Sequence, residues 1–161
     1  MKRTITIVSI SLMFALSLFA SANAQSITGV WQVTEEKTTG DGGKTSKVTQ
    51  PSMYLFTKDH YSVIRVTSDN ERPAIDTATA TAEQLRDVYV DSFVANAGKY
   101  EFKGGKLTIW PSVAKSPTYM KAGSTGTFAV KITGKTMWIT SESAQGSPVK
   151  NPTTLTLTRV E

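Results

Sequence analysis

The stretch whose reading decides the fold is Ile27-Thr28-Gly29-Val30-Trp31-Gln32-Val33. Side chains of a β-strand point alternately to two faces. Ile27, Gly29, Trp31 and Val33 therefore share one face, while Thr28, Gln32 and Thr34 occupy most of the other. Gly29 leaves room on the apolar face, and the indole next to it fills that room. A strand of this kind belongs against an enclosed core.

The far end of the chain answers it. From Thr154 to Val160, Leu155, Leu157 and Arg159 share a face, and Thr154, Thr156 and Thr158 share the other. A charge on an apolar face is costly unless it has a partner. A guanidinium stacked on an indole gains about 2 kcal/mol when desolvated, so Trp31 is the partner that pairing of the first and last strands would supply. That pairing closes a barrel; without it the competing fold is an open sandwich.

Between these ends the signals are those of sequential hairpins. The first strand is expected over Ile27 to Glu35, followed by a polar, glycine-bearing loop at 38–49. Ser52 to Thr57 reads as a strand apolar on both faces, and its inner face is left open. Lys58-Asp59 turns it into His60 to Thr67. After a connection at 68–80, a helix is expected over Ala82 to Phe93, with Thr81 and Gln84 forming a capping box. Leu85, Val88, Tyr89 and Phe93 would make its apolar face, closing one side of the barrel. Lys99 to Lys103 alternates, with Tyr100 and Phe102 on one face, and Gly104-Gly105 turns the chain into Lys106 to Val113. Pro111 marks an edge or a bulge there. A loop at 114–124 precedes Thr125 to Ile132, Thr136 to Ser141 and the final strand. The expected fold is all-β: about eight antiparallel strands in an up-and-down barrel, with one helix between the third and fourth.

On these residues the chain resembles the lipocalin and calycin family. Gly29-Val30-Trp31 is similar to that family's Gly-x-Trp on the first strand, and Arg159 to its Arg on the last strand. It resembles most the bacterial secreted lipocalin-like domain proteins, through TGVWQV, QPSMYLFTKDHYSVIRV, ANAGKYEFKGGKLTIWP, VAKSP and NPTTLTLTRVE. The resemblance spans about Ile27 to Glu161. It implies a barrel with Gly29, Trp31 and Arg159 as its structural signature, and a small apolar molecule as the ligand class. Two departures stand out: the helix lies mid-chain rather than after the last strand, and the family's usual disulfide is missing.

Composition narrows the field further. Lys2 and Arg3, the apolar run Ile5 to Phe19, and Ala22-Asn23-Ala24 form the pattern of a secretory signal peptide over residues 1–24. Cleavage at Ala24-Gln25 leaves residues 25–161 as one domain, with a periplasmic or secreted location and no stable membrane insertion. The leader takes two of the 18 basic residues, leaving 16 against 13 acids, or +3. The bases are scattered, which argues against nucleic acid as a partner. With no Cys and one His, thiol chemistry and a multi-histidine metal site are excluded. No cofactor motif is present.

Three functional classes remain. The first is binding of a small hydrophobic ligand inside the barrel. Its expected wall is Tyr100, Phe102, Ile109, Phe128, Val130, Met137 and Ile139, which equally serve as plain core. Arg65 shares parity with Tyr61 and Val63; if Tyr61 faces inward, Arg65 does too and can hold a ligand carboxylate. The second class is an enzyme using His60 as a base beside Asp59 or Tyr61, but no nucleophile motif supports it, and the expectation is a non-enzyme. The third is an interaction module whose rim is the loops at 38–49, 68–80 and 114–124.

Overall fold

Trp31 pairs with Arg159 in the computed structural model, which describes residues 26–161, and that pairing closes the sheet on itself. The expected signal peptide lies outside the described residues. The strands are β1 (Gly29–Thr38), β2 (Thr45–Lys47), β3 (Ser52–Phe56), β4 (His60–Val66), β5 (Phe93–Lys103), β6 (Lys106–Ala114), β7 (Gly126–Thr133), β8 (Thr136–Ala144), β9 (Ser147–Pro148) and β10 (Thr153–Arg159). Eight of them form a ring, β1-β3-β4-β5-β6-β7-β8-β10 and back to β1, every pair antiparallel. The short β2 and β9 lie outside the ring, on β1 and β8. Closure leaves the ring without an unpaired edge.

The alternation in the sequence sets which residues face in. Trp31 and Val33 on β1, Phe56 on β3, Tyr61 and Val63 on β4, Leu107 on β6, Met137 and Ile139 on β8, and Leu155 and Leu157 on β10 form one buried cluster. Fully burying a side chain of this kind contributes roughly 1.5–3 kcal/mol. The open question on β3 is settled by register. Tyr54 lies opposite the buried Val63 and Phe56 opposite the buried Tyr61, so both face in, while Met53 and Leu55 face solvent.

Three bulges bend this ring, one of them between β7 and β8, where Thr127 pairs with Ser143 and Phe128 with Ser141. In β1 the register shifts between Val33 and Glu35, so that Val33 pairs with Leu157 and Glu36 with Leu155. One extra residue reverses the alternation beyond it. Glu36, outward by simple counting, is thereby brought to the inner side. Another bulge lies where β5 meets β6: Gly98 pairs with Pro111 and Ala97 with Val113, leaving Ser112 unopposed. Pro111 is thus at a bulge, as the sequence indicated. Gly98 is required there, because a Cβ would sit 2.0 Å from the Trp110 carbonyl oxygen.

The helical segment is shorter than expected. The Thr81–Gln84 capping box forms, but the α-helix α1 spans only Ala82–Arg86 and passes into a wider π-type turn over Asp87–Asp91. Phe93 is not helical; it opens β5, which starts six residues earlier than Lys99. Nor does the segment cover the barrel with an apolar face, since Val88 is its one buried residue and Tyr89 is exposed.

Candidate functional site

The two ends of the barrel are built differently. At one end the chain seals itself. The Arg159 guanidinium carbon lies 4.1 Å from the centroid of the Trp31 ring. Its two terminal nitrogens donate to the Thr28 and Ser26 carbonyls. Trp31 Nε1 donates to the Ile27 carbonyl at 2.8 Å, so the fully buried indole keeps no unpaired donor. Gly29 has φ +132°, and a Cβ there would lie 2.3 Å from the Glu161 carbonyl oxygen and 2.6 Å from Arg159 Nη1. The glycine of the Gly-x-Trp triplet is there for the close return of the last strand.

The other end holds a cavity of about 340 Å³. Its wall is mostly apolar: Phe56 from β3, Val63 from β4, Leu107 and Ile109 from β6, Phe128 from β7 and Ile139 from β8. Tyr54, Tyr61, Arg65 and Asn96 form a polar arc on one side. Tyr61 donates its hydroxyl to Asn96 Oδ1 at 2.8 Å. Desolvation pushes the Tyr61 phenol well above the ordinary tyrosine value, and the neighbouring Tyr54 adds to it. Burial also raises the Tyr54 phenol, partly offset by the Arg65 guanidinium beside it. Both phenols are neutral donors at any physiological pH.

Arg65 is inward, as its parity with Tyr61 required, and its side chain is only 12% exposed. It is ion-paired through Nη2 to Glu36, the residue that the β1 bulge turned inward. The three loops gather around this end. Lys44 and Asp69 join the loops at 38–49 and 68–80 with an exposed ion pair at 3.4 Å. Lys115 donates to the Val90 carbonyl at 2.6 Å and to that of Phe93, tying the third loop to the segment after α1. Tyr119, in a short 3-10 turn over Pro117–Met120, lines the entrance.

Of the residues that the sequence nominated, Tyr61, Arg65, Ile109, Phe128 and Ile139 line this cavity. Tyr100 and Phe102 do not. They face a shallower groove at the sealed end, with Ile27, Thr28 and Ile132, and Tyr100 packs edge-on against Phe56 at 5.2 Å between ring centroids. Val130 and Met137 belong to the packed core. Parity gives the face of a residue but not its height along the barrel, and height separates these groups. Glu36, Tyr54, Asn96, Lys115 and Tyr119 were not among the residues that the sequence nominated. Tyr54 was hidden by a strand apolar on both faces, and Glu36 by the bulge. His60 is exposed on the β3–β4 hairpin and is not part of the cavity wall.

No protein-family model matches the sequence, and no curated protein matches it. Among solved structures, an uncharacterized protein from Bacteroides eggerthii DSM 20697 is similar, at 16% identity and a TM-score of 0.45, over 83% of this chain and 99% of that one. A lipocalin-like protein from Bacteroides uniformis ATCC 8492 is similar at 19% identity and a TM-score of 0.45, over 82% and 96%. The architecture is stated from this chain's own geometry: a closed antiparallel eight-stranded barrel of lipocalin-like form, with the Gly29, Trp31 and Arg159 arrangement at one end and a cavity at the other.

Proposed function

We propose that this chain is an exported binding protein that takes one small, largely apolar molecule into the open half of its barrel. The observation that carries the reading is the cavity itself. At about 340 Å³ it falls at the lower end of the roughly 300–1,000 Å³ typical of small-molecule sites. Apolar walls with a few convergent polar groups are the usual make-up of such sites. The export part rests on the charged, apolar and small-residue sequence of residues 1–24. Binding rather than catalysis is supported by what surrounds the cavity: Tyr54 and Tyr61 are kept neutral, Arg65 is already paired, the serine and threonine hydroxyls on the wall have no imidazole beside them, and the one histidine lies outside it.

The test is fluorescence titration with the neutral apolar probe N-phenylnaphthylamine, followed by displacement with small alkylbenzenes. Phe128→Asp, which puts a charge on the cavity wall at a half-buried position, is expected to weaken uptake while the barrel still folds. Absence of displaceable uptake would contradict the reading. A second reading, a protein-interaction module, is favoured by one observation. Met53, Leu55 and Ile64 are exposed side by side on the outer face of β3 and β4. Ile64→Lys separates the two: it would abolish partner binding on that face and leave probe uptake in the cavity unchanged.

A further inference from the structure

The outer surface of the ring is polar on one side and apolar on the other. On β8 and β10 the outward positions are mostly threonines, with Thr136 opposite Thr158 and Thr140 opposite Thr154. The one aromatic there, Trp138, is covered by the Lys131 ammonium at 5.7 Å. That is how a sheet facing water is ordinarily finished. On β3, β4 and β5 the outward positions between the two barrel ends are Met53, Leu55, Ser62, Ile64, Ala95 and Ala97, none of them charged. Met53 lies opposite Ile64 and Ile64 opposite Ala95, so the strip is continuous from strand to strand. Val30 on β1 and Val113 on β6 extend it at its margins. Ile64, at its centre, is 55% exposed. Contiguous exposed apolar surface of this kind marks an interaction site. The ring is closed, so a partner sits on the face rather than adding a strand.

The two ends of this strip carry opposite charge. At the sealed end the β3–β4 and β5–β6 hairpins, over 58–60 and 99–106, hold Lys58, Lys99, Lys103 and Lys106 against Asp59 and Glu101. At the open end the connection from β4 to β5, over 67–92, holds six acids against Arg72 and Arg86. Arg72 is turned in on the Val88 carbonyl, Arg86 is paired with Asp91, and Lys44 with Asp69. Lys115 also reaches this end, but its ammonium is engaged by the Val90 and Phe93 carbonyls. Glu71, Asp76, Glu83 and Asp87 are exposed and have no ion-pair partner among the described residues.

We propose that the strip is the interface of a homodimer, in which two copies pack their β3–β4–β5 faces together about a two-fold axis that lies between them and runs across the strands. Such an axis sets the strands of the two copies in opposite directions, so the basic hairpin end of each meets the acidic connection of the other. A two-fold interface must be complementary to itself. A strip that is apolar in the middle and of opposite sign at its ends meets that condition in this orientation, whereas an axis along the strands would set like charge on like. Three strands about 4.8 Å apart and seven residues long cover a face of roughly 15 by 23 Å. That is well under the about 800 Å² per partner of a standard interface, so the charged ends supply the remainder, and the dimer is reversible and weakened by salt.

The test is sedimentation equilibrium of the purified protein over micromolar to millimolar concentration, at low and at high salt. A reversible dimer is expected at low salt. Ile64→Lys puts an unpaired charge at the centre of the strip and should weaken the dimer about a hundredfold, with folding of the variant checked by chemical denaturation. Reversing the basic end (Lys58→Glu with Lys99→Glu) or the acidic end (Glu71→Lys with Asp87→Lys) should each weaken it roughly tenfold. Mixed in equal amounts, the two charge-reversed proteins should dimerise as strongly as the unaltered protein. Each reversed end then faces the reversed end of the other, and each untouched end an untouched one. A protein that is monomeric throughout, a dimer that survives Ile64→Lys, or a mixture no stronger than its components overturns the proposal. A monomer that co-sediments with phosphatidylglycerol vesicles overturns it as well, and assigns the strip to a lipid surface. Each of these outcomes leaves interior binding standing.

Discussion

The two ends of this barrel use the same materials, an inward aromatic and an inward arginine, to opposite effect. At the sealed end Arg159 lies on Trp31 and donates to the Ser26 and Thr28 carbonyls, and the Trp31 indole N–H donates to the Ile27 carbonyl. At the open end Arg65 is ion-paired with Glu36 beside a cavity. One arginine clasps the two ends of the chain together, and the other lines a cavity. The same contrast holds for packing. Trp31, Met137 and Leu157 are wholly buried, whereas Phe128 and Ile109 keep a free face toward the cavity.

The contrast predicts where the chain is fragile. Trp31→Ala is expected to cost about 3–5 kcal/mol, the range for truncating a fully buried aromatic, and Phe128→Ala less than half of that. Equal losses in chemical denaturation would erase the distinction between the ends. Gly29→Ala comes next, at about 1–3 kcal/mol, because the new Cβ meets the returning strand and the backbone is left-handed there. Arg159→Ala should cost a similar or smaller amount, about 1–3 kcal/mol, through lost stacking and two lost carbonyl partners. Its loss and that of Trp31→Ala should fall short of additive, since both remove one contact. A double-mutant cycle that came out additive would mean that the clasp is not a unit.

The smallest effect belongs to the open end and appears in alkali. Tyr54 and Tyr61 are neutral when protonated, and burial raises both above the ordinary value of 10.0. The folded state therefore holds their protons more tightly than the unfolded chain does. That contribution is fully present below pH 10.0 and is lost as pH rises from there toward the folded values. Stability should decline above pH 10, and Tyr61→Phe should flatten the decline relative to the unaltered protein. An identical slope in the variant would show that this phenol is not shielded.

The sealed end was legible in the sequence almost entirely, and the open end only in part, for a physical reason. The clasp depends on parity at the two chain ends, and parity is local: Gly29, Trp31, Leu157 and Arg159 declare their faces within a few residues. The cavity depends on where strands shift against one another. The bulge between Val33 and Glu35 reverses the alternation and delivers Glu36 to Arg65, with no proline or glycine to mark it. The first half of β5, Phe93 to Gly98, is rich in alanine, asparagine and glycine and gives a weak strand signal. Phe93 then fell into helical spacing with Val88 and Tyr89. Tyr100 and Phe102 were rightly placed on an inner face, but only register with neighbouring strands shows that they lie at the other end from Ile109.

The most direct test of the central claim, that the open half of the barrel is a binding site and the sealed half is not, is to fill the cavity. Ile109→Trp adds bulk at a half-buried position on the cavity wall. N-phenylnaphthylamine titration of this variant, beside the exterior variant Ile64→Lys and with folding checked by chemical denaturation, locates the site. The account predicts that Ile109→Trp folds and loses probe uptake, while Ile64→Lys binds as the unaltered protein does. Uptake that survives in folded Ile109→Trp and disappears in Ile64→Lys would place binding on the outside of the barrel and contradict the account.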